Sequence, residues 1–101
     1  MPSFRVTMSI GALAAGTPPH TVVPSAASAV AELTTVEAQD VAVVSGGPRV
    51  TVRFTGEDES DALAIARHAV EQTRTRAEVV SWLVTKRVGG RWYPVAPAGG
   101  L

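Results

Sequence analysis

One stretch of the sequence, Arg49 to Val88, constrains the fold more than any other, because it changes period twice. Arg49–Thr55 alternates, with Val50, Val52 and Phe54 on one side and Thr51 and Arg53 on the other. That period of two marks a half-buried strand. Gly56-Glu57-Asp58-Glu59-Ser60 interrupts it. From Asp61 to Thr73 the apolar residues Ala62, Ile65, Ala66, Ala69 and Val70 recur at helical spacing, and Thr73 continues the stripe. Alternation then returns in Val80, Trp82 and Val84, which are assigned to the core face of a further strand. A strand, a helix and a strand in this order need a sheet with a helix packed on one side.

The segments before it repeat the plan. Phe4–Ile10 alternates with Phe4, Val6, Met8 and Ile10 inward and Arg5, Thr7 and Ser9 outward. A signal-peptide core would be continuously apolar, so this is read as a strand and the protein as cytoplasmic. Gly11 to Pro24 is read as a loop, since Pro18-Pro19 oppose helix. Ser25–Thr34 is expected to be a short helix of mainly small residues, closed by the β-branched Thr34-Thr35-Val36. Gln39–Ser45 is expected to be a strand, joined to the next through a Gly46-Gly47 turn with Pro48 opening the following strand. A turn closed at that glycine pair makes positions summing to 93 face each other. Val43 then pairs with Val50, Val41 with Val52 and Asp40 with Arg53.

After the central helix and the strand that follows it, Gly89-Gly90 is a second tight turn, and Arg91-Trp92-Tyr93 a short fifth strand ended by Pro94. Residues 96–101 read as a frayed tail, leaving about 3–95 ordered in a single domain spanning 1–101. The order β-α-β-β-α-β plus an edge strand resembles the ferredoxin-like split β-α-β arrangement, an α+β fold with an antiparallel sheet and both helices on one face. It implies a spatial order 4-1-3-2 with the fifth strand beside the fourth. That fold hosts many unrelated functions, so function must come from the surface.

Composition removes several classes. There is no cysteine, which excludes disulfides, thiolate metal sites and thiol nucleophiles. Nine basic and nine acidic residues cancel, so no global field attracts nucleic acid or membrane. No apolar run is long enough to span a bilayer as a helix. Eight of the nine basic residues are Arg, which with the many Ala, Val and Gly fits the codon bias of a GC-rich bacterial or phage genome.

The individual motifs are weak. Gly11-Ala-Leu-Ala-Ala-Gly16 is followed by Thr17-Pro18-Pro19 in place of the Lys-Ser/Thr that a phosphate loop needs. His20 and His68 have no evident metal-ligand partners, and His20 has no orienting carboxylate for general-base work. Glu57, Asp58, Glu59 and Asp61 lack calcium-loop spacing and suit helix capping, by Asp58 or Ser60. No cofactor or metal is expected.

What remains is the sheet face away from the helices, expected to carry Arg5, Thr7, Thr51, Arg53, Leu83, Arg87 and Trp92, with Trp92 opposite Arg87 across the Gly89-Gly90 turn and partly exposed, and Trp82 buried. Arginines, hydroxyls, a Leu and a Trp on one surface point to a small non-catalytic binding or assembly module, working through a protein partner or through self-association of this face. Enzymatic activity stays open. A dimeric α+β barrel that binds or converts a small organic ligand is the alternative. Single-stranded nucleic acid ranks lower, because the central strands offer no aromatic on this face.

Overall fold

In the computed structural model, which describes residues 1–95, five strands and two α-helices follow the order β1 (Ser3–Leu13), α1 (Val22–Ala31), β2 (Val36–Val44), β3 (Gly47–Thr55), α2 (Glu59–Thr73), β4 (Ala77–Val88) and β5 (Arg91–Pro94). The expected tail at 96–101 lies outside the described residues. The protein is α+β: every strand pair is antiparallel, and the sheet runs β2-β3-β1-β4-β5. β1 is thus central, with β3 on one side and β4 on the other.

The period-two reading of β1 and β3 holds. Phe4, Val6, Met8, Ile10, Val50, Val52 and Phe54 are all buried, and Phe4 stacks on its cross-strand partner Phe54 with ring centroids 6.1 Å apart. The helix stripe also holds: Ala62, Ile65, Ala66, Ala69, Val70 and Thr73 are buried, and Thr73 satisfies its hydroxyl by donating to the Ala69 carbonyl at 2.8 Å. The many alanines let both helices lie close to the sheet and to each other. Asp58 caps α2 by accepting from the Asp61 N–H at 2.8 Å, while Asp61 accepts from the Glu57 N–H at 2.9 Å. The acidic run therefore caps the helix from two sides, with Asp61 reaching back to the residue before the N-cap.

Four expectations are corrected. First, α1 covers Val22–Ala31, not Ser25–Thr34. It follows a 3-10 turn at Pro19–Thr21, and Pro24 falls in its first turn, where a missing N–H costs no helical bond. Thr34 leaves the helix and donates its hydroxyl to the Thr55 carbonyl at 2.7 Å. Second, the segment after Ile10 continues as strand to Leu13. A Cβ at Gly11 would displace the end of the exposed Glu78 side chain and press on Val80, so the strand passes closest to β4 at a residue without one.

Third, the β2–β3 hairpin turns at Ser45-Gly46. Gly47, at φ 108°, opens β3, a backbone that favours glycine. Val43 therefore pairs with Pro48 and Val41 with Val50, a shift of two positions that leaves every residue on its expected face. The same shift brings Ala38, not Asp40, opposite Arg53; β2 begins at Val36, and an irregularity between Val36 and Ala38 leaves Val36 opposite Phe54. Fourth, Val80 is 65% exposed while Val79 and Ala77 are buried. β1 pairs Ser9 with Ser81 and Ile10 with Val79, so Val80 is the extra residue of a bulge and the alternation reverses across it. Trp82, opposite Met8, packs against the core without being enclosed by it, so it is only partly buried.

Candidate interaction face

The helix-free face is built by alternation. Each strand that sends apolar residues to the helices sends its other residues outward. Arg53, Arg5 and Thr85 form one row across β3, β1 and β4, and Thr51, Thr7 and Leu83 the next. Trp92 pairs with Arg87 across the turn in which Gly89 and Gly90 both have positive φ, as the sequence implied.

From β5 the Trp92 side chain reaches across β4 onto β1. The Arg5 guanidinium lies 3.9 Å from the centroid of the indole, and that of Arg53 lies at 5.4 Å. Two arginines directly opposite each other repel. Here the negative π-face of Trp92 offsets part of that repulsion. Glu37 offsets more, since its Oε1 lies 3.1 Å from Arg53 Nε and also accepts from the Ser3 hydroxyl at 2.7 Å. The Ser3 hydroxyl first, then Arg53 and more remotely Arg87, hold the Glu37 carboxyl below its ordinary pKa despite some opposing desolvation. Arg5 has no carboxylate within 4 Å among the described residues.

Beside this stack is a hollow of about 310 Å³, lined by Arg5, Thr7, Ala38, Asp40, Thr51 and Arg53. The Thr7 and Thr51 hydroxyls within it are 3.4 Å apart. Leu83, opposite Thr7, is 48% exposed on the same face. All seven residues singled out from sequence therefore share one face, and three of them, Arg5, Arg53 and Trp92, are in direct contact. Arg53 does not pair with Asp40 as expected. Beginning β2 at Gln39 leaves Glu37 out of the sequence-derived face, although Val36-Glu37-Ala38 already alternates.

The histidines lie elsewhere. His68 Nε2 is 2.6 Å from Glu32 Oε1, joining α2 to the end of α1, and His20 borders an apolar groove beside β2. Among the described residues no three His, Asp or Glu side chains cluster as a metal site would require, and no helix is long and apolar enough to cross a membrane. No protein-family model matches the chain, and a search of the curated proteins finds no relative.

Proposed function

We propose that the protein is a non-catalytic binding module whose partner is a protein docked on the helix-free face of the sheet. The observation that carries this is the Arg5–Trp92–Arg53 stack with the exposed Leu83 beside it. Aromatic and Arg side chains are the types enriched at interface centres. Stacking on Trp92 holds the guanidiniums in place before a partner arrives, which lowers the ordering cost of binding. Arg5, which has no carboxylate within 4 Å among the described residues, is suited to an acidic side chain of the partner. A second copy of the chain, sheet to sheet, is one such partner.

The test uses wild-type protein, Arg5→Ala and Leu83→Glu as immobilised baits in lysate of the native host. Both sites are at the surface, so the variants should keep the fold. A partner retained by wild type and reduced tenfold or more with each variant is the expected result. Equal capture by all three, or none by any together with no self-association that Leu83→Glu abolishes, would overturn the reading.

The hollow favours a second reading, in which this face takes a small organic anion, as in the pocket of a dimeric α+β barrel. Two guanidiniums and two hydroxyls suit a carboxylate, and Asp40 would select ligands that also carry a donor. Titration of ¹⁵N-labelled protein with citrate separates the readings, because shifts confined to Arg5, Thr7, Thr51 and Arg53 would favour the ligand. We also read the architecture as ferredoxin-like, supported by the strand order. A cytoplasmic location is likewise proposed, supported by residues 3–13 serving as the central strand.

A further inference from the structure

The two edges of the sheet differ in how they are protected. β5 is four residues long and ends in Pro94, two devices that blunt an edge. β2 is nine residues long, contains neither Lys nor Pro, and its one irregularity lies at its start, between Val36 and Ala38. Its helix-side residues Val41 and Val43 are 50% and 82% exposed, because α1 does not extend over the hairpin end. They form the open side of an apolar groove of about 540 Å³, whose other walls include Ile10, Leu13, Val22 and Val23.

We propose that a second copy of the chain pairs with β2 edge to edge, antiparallel, about a two-fold axis through Ala42. The strand is self-complementary in that register. Val41 of each copy faces Val43 of the other, which gathers four valines on the helix side of one continuous sheet and supplies the missing wall of each groove. Charges do not oppose one another. Asp40 faces Val44 of the other copy, and the two aspartates stand four residues apart along the strands, roughly 14 Å at strand rise. Glu37 is already held by Arg53. Centring the axis on Asp40 instead would place the carboxylates directly opposite, so the sequence itself selects among registers. The zero formal net charge leaves no long-range repulsion between copies. This dimer leaves the helix-free face uncovered and doubles it, so it is independent of the reading given above.

Sedimentation velocity from micromolar to millimolar concentration tests it with wild type, the double variant Val41→Lys/Val43→Lys, and Leu83→Glu. All three positions are exposed, so the fold should persist, as circular dichroism would verify. Wild type and Leu83→Glu should reach the dimer mass, and the lysine variant should stay monomeric. The register is tested by oxidative cross-linking, since the chain has no cysteine of its own. Ala42→Cys places two thiols opposite each other at the ~5 Å Cα spacing that a disulfide accepts, and it should cross-link efficiently. Gln39→Cys faces Ser45 of the other copy and should not. A wild type that stays monomeric, a lysine variant that still dimerises, or faster cross-linking at position 39 than at 42 would each overturn the proposal. Loss of the dimer only in Leu83→Glu would overturn it in favour of face-to-face association.

Discussion

Glu37 shows how one carboxylate can organise a surface of like charges. It meets Arg53 directly and Ser3 through a hydroxyl, and Arg5 is left to Trp92. Its pKa is lowered in the folded state, so it binds its proton less readily there than in the unfolded chain. The stabilisation it gives is therefore fully present above its ordinary value of about 4.5 and is lost as pH falls through the lowered folded-state pKa. The group is largely solvated, so the effect is small and weakened by salt. Urea midpoints of wild type should exceed those of Glu37→Gln at pH 6, and the gap should narrow as pH falls below about 4.5. A gap that is independent of pH would mean that Glu37 acts by packing and not by charge.

At the scale of elements, the bulge at Val80 decides which valine of β4 is structural. Val79→Ala removes two buried carbons and should cost about 2–3 kcal/mol, at ~0.8 kcal/mol for each group plus a cavity contribution. Val80→Ala should stay within about 0.5 kcal/mol, as exposed substitutions do. Equal costs in chemical denaturation would place the bulge elsewhere. This is also where reading the sequence failed, for a physical reason. Val79 and Val80 are adjacent and chemically identical, and only pairing with β1 distinguishes them. The same holds for the β2–β3 turn, because Ser45-Gly46 and Gly46-Gly47 are both acceptable turn dipeptides and the choice depends on where Gly47 takes its positive φ. By contrast, β1, β3 and α2 were legible because each carries an unbroken period with one face buried. The candidate face was legible for the same reason, since alternation fixes its members once the core is known. The Trp92–Arg5 contact was not, because it spans a whole intervening strand.

At the scale of the molecule, the sheet is centred on its first strand, and this governs how the chain can fold. The β2–β3 hairpin and the β4–β5 hairpin pair neighbours in sequence, but β1 pairs with β3 near residue 50 and with β4 near residue 80. Such long-range closure slows folding. On the ribosome the chain would emerge with the centre of its sheet first and wait for nearly everything else before that strand could be buried on both sides. Phe4, Val6 and Met8 stay exposed throughout that wait, so the segment that anchors the finished protein is also its main aggregation hazard during synthesis. A chain ended at residue 76, lacking β4, should show no cooperative unfolding transition and should bind a hydrophobic dye that the full chain does not. A cooperative transition in that fragment would mean that β1 and β3 with the two helices suffice to form a core.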